Sequence, residues 1–278
     1  MKKLMVLPLS FLLLLSGCAT PSIPSSLPSV SPEENSTPIP SNPLTSSTPL
    51  DLETFNLEDF PTSPLPMNDL WWRESCPELY MLAELPEADI ALYGVNQYDG
   101  PYSEDPLFLR YGSSLQWLEQ TSYSVRYTPT LTWADFDNDG SNELVAIYCI
   151  AYGTGCFIQE LHLYEWDGSA WSNQLYSPKD YEAQVRRDVS YGYSASDEIF
   201  SLSLGSTTIA APVCAAPTGL GFGEWAHFDV DGSKLQLRLY LCAHFEKSPP
   251  QIIGTYTANV VYDGECFSLS SPSITDPE

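Results

Sequence analysis

Positive charge is what this sequence lacks most. Its 278 residues hold 11 Lys and Arg against 36 Asp and Glu, a formal net charge of −25. Such a chain repels nucleic-acid phosphates and anionic headgroups, so composition excludes a nucleic-acid partner and charge-driven adhesion to an anionic bilayer. Histidine is equally scarce. His162, His227 and His244 form no His-x-x-x-His pair, so the zinc-hydrolase helix motif is absent. The seven cysteines include no Cys-x-x-Cys, which argues against a thiolate zinc site or a dithiol redox centre. Gly192-Tyr193-Ser194-Ala195-Ser196 lacks the last glycine of a nucleophile elbow. Gly219-Leu220-Gly221-Phe222-Gly223 lacks the lysine and the strand-to-helix context of a phosphate loop, and reads as a flexible loop. Long apolar runs are missing too. The longest, residues 4–15, is interrupted by Ser10 and makes about 18 Å of helix, short of a ~30 Å hydrocarbon core.

Lys2 and Lys3 precede that run, and together they have the form of an export signal. It ends in Leu15-Ser16-Gly17-Cys18, which resembles the lipobox of bacterial lipoproteins. The resemblance implies a signal peptide over 1–17, lipidation of Cys18 and a lipid anchor in the membrane. It places the protein in the bacterial cell envelope, facing outside the cytoplasm. Residues 18–67 follow as a Ser/Thr/Pro-rich tether, with eleven prolines among the 49 residues 19–67. A segment so poor in apolar side chains cannot offset its ordering entropy by burial.

Residues 68–278 form the acidic globular domain, with 30 acidic side chains to 9 basic. Its pattern is mainly β. Residues 144–150 are an almost continuous apolar run suited to a strand buried on both faces, and residues 157–166 follow as its hairpin partner. Further strands are expected near 107–111, 199–204, 235–245, 252–261 and 266–269. Five Asp-Gly dipeptides, at 99, 139, 167, 231 and 263, supply the positive φ of tight turns at irregular spacing. A short helical segment is expected only at the start, around 77–85 and 86–93. The architecture expected is an antiparallel, hairpin-rich β domain, either a sandwich or partially propeller-like. Excluding Cys18, the remaining six cysteines allow fifteen disulfide connectivities. Cys149 and Cys156 are the most local pair, flanking the turn between the two central strands, while buried free thiols are the alternative.

One of the five Asp-Gly sites differs from the rest. Counting Asp135 as position 1, carboxylates stand at positions 1, 3, 5 and 9 (Asp135, Asp137, Asp139, Glu143) and Gly140 at 6. The same template gives His227, Asp229, Asp231 and Leu235 around Asp231, and Leu163, Glu165, Asp167 and Trp171 around Asp167. Both lack ligands at the ends. Carboxylates this close repel by roughly 4 kcal/mol per pair at about 4 Å and an effective dielectric near 20, which a divalent cation relieves. Hard oxygen ligands at alternating positions suit calcium, with Asp135, Asp137, Asp139 and Glu143 binding by side chain and Ser141 by its carbonyl. Position 12 is Ala146 instead of a bidentate glutamate, and the residues after the loop read as strand, so an EF-hand sensor is not expected.

The stretch from Trp133 to Trp171 resembles an FG-GAP or VCBS-type calcium unit, in which Asp-x-Asp-x-Asp-Gly runs directly into a buried strand. Asp135, Asp137, Asp139, Gly140, Glu143 and residues 144–147 carry the likeness, and one copy is present. The wider layout, including Leu82-Ala83-Glu84-Leu85-Pro86 and Gly153-Thr154-Gly155 before Glu160-Leu161-His162, resembles secreted lipoproteins of Firmicutes. These features together suggest a cell-surface lipoprotein whose calcium-stabilised β domain binds a cell-wall glycan or a protein. The alternative is a wall- or polysaccharide-acting hydrolase using paired carboxylates, a pair that spacing along strands does not identify. Trp71, Trp72, Trp133, Trp166, Trp171 and Trp225 either line a ligand groove or pack the core.

Overall fold

A computed structural model of the protein describes residues 58, 60–65, 79–95, 102–103, 107–118, 123–124 and 127–277. The expected signal peptide, Cys18, Trp71, Trp72, Cys76, Asp99-Gly100 and most of the tether lie outside these residues. Among the described residues no helix is long and apolar enough to cross a membrane.

The strands begin with β1 (Leu79–Leu85), β2 (Ile90–Val95), β3 (Tyr102–Ser103), β4 (Leu107–Tyr111), β5 (Ser114–Trp117) and β6 (Tyr123–Ser124). Next come β7 (Thr130–Ala134), β8 (Glu143–Gly153), β9 (Cys156–Trp166) and β10 (Trp171–Tyr176). Helix α1 (Pro178–Asp188) precedes β11 (Ser190–Ser194), β12 (Ile199–Leu204) and β13 (Thr207–Pro212). The chain closes with β14 (Gly219–Asp231), β15 (Lys234–His244), β16 (Gln251–Tyr262) and β17 (Phe267–Thr275).

These strands form a four-stranded sheet ordered β1-β2-β4-β5 and an eight-stranded sheet ordered β17-β16-β15-β14-β9-β8-β7, in which β10 also pairs with β9. Smaller sheets join β11-β12-β13 and β3-β6. Pairing is antiparallel except for the two-residue contact between β14 and β9. The fold is thus mainly antiparallel β, as the sequence pattern predicts, and the large sheet curls into a half-barrel.

Period-two alternation assigns each strand face to a core. On β8, Val145 and Ile147 join Leu161 and Leu163 of β9 in a large core, with Leu237, Leu239, Tyr256 and the helix residues Tyr181 and Val185. The opposite face of β8, Leu144, Ala146 and Tyr148, packs with Tyr80, Leu82, Leu92 and Leu109 of the four-stranded sheet. That sheet's outer face, with Met81, Tyr93 and Phe108, forms a third cluster together with Phe60. Phe60 meets Tyr93 and Phe108 edge-on at 5.1 and 5.5 Å, and the Leu65 amide donates to the Met81 carbonyl at 3.1 Å. Phe60 and Leu65, in the stretch expected to be tether, therefore pack against the four-stranded sheet.

Three local expectations need correction. Of residues 77–93, expected to be helical, the described part from Leu79 onward instead forms the β1–β2 hairpin, with only a 3-10 turn at Pro86–Ala88. The short apolar runs Leu79–Ala83 and Ile90–Tyr93 reflect burial between two cores, a state in which periodicity does not separate strand from helix. The 219–223 glycine stretch, read as a flexible loop, is the start of β14. The helix that does form, α1, opens on Ser177-Pro178-Lys179-Asp180. Asp180 accepts from the Ser177 amide at 3.1 Å as part of a capping box, and Pro178 occupies the first turn.

Cys149 and Cys156 are not bonded to each other, and all described cysteines are free thiols. Register is the reason. Cys149 lies opposite Gln159 and Cys156 opposite Gly153, with a bulge between Cys149 and Ala151. Three register steps separate the two by roughly 10 Å along the strand, outside the ~4.4–6.8 Å Cα spacing of a disulfide. Cys149 Sγ donates to the Ala151 carbonyl instead, at 3.4 Å.

Candidate metal centre

The acidic loop joins β7 to β8 and is wound tightly by its own backbone. Asn138 (φ 66°) and Gly140 (φ 95°) take left-handed conformations, which lets successive amides turn inward. The Gly140 amide donates to Asp135 Oδ2 at 3.1 Å and the Asp139 amide to Asp137 Oδ1 at 3.0 Å. The Phe136 amide donates to Glu143 Oε2 at 2.7 Å, while the Phe136 ring is buried in the large core and pins the loop to the sheet.

This winding brings Asp135, Asp137 and Glu143 together, with one oxygen from each within 4.8 Å of the others. Asp139 is not in that group; its Oδ1 accepts the Ser141 amide at 2.7 Å. Ser141 is exposed. The structure therefore gathers three of the four carboxylates that the spacing selects. It also adds a neighbour that local sequence does not reveal, the β16–β17 turn. A Cβ placed on Gly264 would lie 3.2 Å from Asp137 Oδ2, so this turn closes against the loop.

Glu143 is 3% exposed, and burial raises its carboxyl pKa. The Phe136 amide pulls the other way, and the charges of Asp137, Asp139 and Asp135 raise it further. Asp135 Oδ1 is buried and has no hydrogen-bond partner among the described residues. An orphaned buried carboxylate oxygen, on a side chain clustered with two other carboxylates, costs free energy unless a cation or water satisfies it. Three hard oxygens match what a divalent ion of the calcium type takes from side chains, with carbonyls and water filling its remaining positions.

Other Asp-Gly turns provide the contrast. Asp167 Oδ1 accepts from the Ser169 and Ala170 amides at 2.7 and 2.8 Å, and these bonds hold its pKa below the usual carboxylate value. Asp263 Oδ1 accepts from Glu265 and Cys266 at 3.1 and 2.8 Å. Those carboxylates are consumed by the turn itself. In the 135–143 loop three of them converge.

The remaining candidates are now placed. His162 is 3% exposed and bridges Glu160 and Asn173, both at 3.1 Å. His227 contacts Asp229 at 3.2 Å, and His244 faces Thr218 at 3.3 Å. Trp133, Trp166 and Trp171 gather around Tyr111 with ring centroids 5.1–5.9 Å apart, packed against the core under the four-stranded sheet. Trp225 lines a cleft.

Fold and loop together define an antiparallel β protein with a carboxylate centre at the mouth of its central strand. Compared with models of protein families, curated proteins and solved structures, the chain matches none of them.

In metal-free buffer the raised pKa of Glu143 sets the sign of a pH effect. The folded state holds this proton more tightly than the unfolded chain, so its contribution is present below the ordinary glutamate pKa and is lost as pH rises through the folded value. With chelator present, Glu143→Gln is expected to unfold at higher urea than wild type near pH 7, the gap shrinking as pH falls through that window. Parallel pH profiles for the two proteins would contradict the assignment.

Proposed function

We propose that this chain is a lipid-anchored protein of the bacterial cell envelope whose β domain is a calcium-stapled binding module. The observation that carries the calcium reading is the convergence of Asp135, Asp137 and Glu143, with Asp135 also holding a buried Oδ1 that has no hydrogen-bond partner among the described residues. The likeness of residues 135–147 to FG-GAP and VCBS-type units, with the loop running into a buried strand, supports the same ion. Calcium's role in this reading is structural. It neutralises the loop and fixes where β8 begins, and external calcium suffices for the affinities of about 10⁻⁴ to 10⁻³ M typical of extracellular modules. Anchoring rests on Leu15-Ser16-Gly17-Cys18 and on the proline-rich stretch after it, which holds the domain away from the bilayer.

Two experiments test the two halves. Calorimetric titration of the full-length chain with calcium is expected to give saturable heat at an affinity of about 10⁻⁴ to 10⁻³ M, abolished in Asp137→Ala. No heat, or equal heat in both proteins, overturns the site. Fractionation of bacteria expressing the chain is expected to place it with membranes, and Cys18→Ser should release it. Membrane association that survives the substitution overturns the anchor.

A further inference from the structure

A second concave site lies on the large sheet, lined by aromatic rings that no core has absorbed. It is a cleft of about 680 Å³, within the usual range for small-ligand sites, with walls from Tyr127, Tyr152, Phe157, Trp225 and Tyr240 and one acid, Glu224. All five rings are half-buried. Tyr127 meets Tyr152 and Phe157 nearly edge-on, both at 5.0 Å with interplanar angles of 64° and 75°. Trp225 stacks on Tyr240 at 4.7 Å. Rings set at these angles border one common cleft, and an aromatic ring carries negative potential on its faces.

The backbone is bent to make this cleft. Register between β14 and β15 jumps from Phe222↔Leu241 to Ala226↔Leu239, so Gly223, Glu224 and Trp225 bulge opposite Tyr240 alone. The bulge swings β14 onto β9, where Trp225 pairs with Phe157. Gly223 is required at its start, since a Cβ there would lie 2.7 Å from Tyr240 Cβ. Alternation would turn Glu224 inward with Phe222 and Ala226, yet it is exposed and lines the cleft. Bulges of this kind re-aim side chains beside functional sites. The Glu224 carboxylate is felt inside the cleft, for it raises the pKa of the neighbouring Cys156 thiol after burial has done so.

Charge selects the ligand. Among the described residues no Lys or Arg lines the cleft, its one acidic side chain is Glu224, and the protein carries a formal charge of −25. The nearest cation on the same face of β15, Arg238, is drawn to Asp229 at 3.6 Å. The rest of the wall is glycine, proline, cysteine and Ile252, so beyond the tyrosine hydroxyls Glu224 is its one strongly polar side chain, fewer than sugar hydroxyls call for. From the aromatic lining, its single carboxylate and the bulge that aims it, we infer that this cleft binds a small alkylammonium cation. The ring faces take the cation by cation–π attraction, and Glu224 supplies the counter-charge. This assignment rests on the reading of the domain as a binding module, and it names the ligand class.

Ligand-observed NMR titration of the full-length chain tests it with choline, its neutral isostere 3,3-dimethylbutan-1-ol and N-acetylglucosamine, each in calcium. Choline is expected to bind at least about tenfold more tightly than either neutral probe. Glu224→Gln, at an exposed position that leaves the fold intact, should weaken choline several-fold. Trp225→Ala should weaken it further, and Trp225→Phe should restore much of the loss. Phosphatidylcholine vesicles that co-sediment with the protein and are displaced by choline place the ammonium on a lipid headgroup; choline binding without co-sedimentation places it on a soluble cation. Either supports the site. Equal affinity for the isostere or the sugar overturns it, as does choline binding insensitive to both Glu224→Gln and Trp225→Ala. No choline binding beside intact calcium heat overturns the cleft alone and leaves the calcium module standing.

Discussion

Before β8 can start, the mutual repulsion of Asp135, Asp137 and Glu143 has to be met, because Glu143 is both a member of the cluster and the first residue of that strand. Its neighbours Leu144 and Val145 already face two different cores. A slip of one residue here would exchange the two faces of β8 and send Val145 and Ile147 into the space filled by Leu144, Ala146 and Tyr148. The loop therefore sits where register is decided. The Phe136 amide bond to Glu143 and the buried Phe136 ring fix its geometry, and a cation bound among the three oxygens would remove the electrostatic cost of that geometry.

β8 also links the two sites. It starts at Glu143 and ends at Gly153, which together with Tyr152 borders the aromatic cleft. Eleven residues of strand span roughly 35 Å. The arrangement divides the aromatic content by task. Tyr111, Trp133, Trp166 and Trp171 cement the four-stranded sheet to the large one, whereas Trp225 and Tyr240 stay half-exposed around a bulge.

The parts of the fold legible in the sequence were those decided locally. Residues 144–150 read as a doubly buried strand because both faces are apolar, and they are one. Strands at 107–111 and 199–204 fall where alternation places them. Long-range packing decided the rest. Leu79-Tyr80-Met81-Leu82 is rich in good helix formers, yet its two faces are claimed by separate clusters, and tertiary burial outweighs a propensity of tenths of a kcal/mol per residue. Glycines 219, 221 and 223 suggested flexibility, whereas two of them serve close approach: a Cβ on Gly221 would lie 3.3 Å from His244 Cβ, and Gly223 faces Tyr240. In the acidic loop, spacing picked out the three acids that converge, but not the turn of Asp139 toward Ser141 or the arrival of Gly264 beside Asp137. The first depends on a local hydrogen bond that competes with the metal set, and the second joins residues more than a hundred positions apart.

The central claim is that the acidic loop needs a cation for the fold to reach full stability. Thermal unfolding of the full-length chain in chelator and in calcium tests this most directly, with Asp135→Asn as the partner protein. At calcium about 100-fold above its dissociation constant, linkage gives about 2.7 kcal/mol, or a melting shift on the order of 5–10 °C for a domain of this size. The account predicts that shift in wild type and its near disappearance in Asp135→Asn. Wild-type protein that melts at one temperature in both buffers would contradict it.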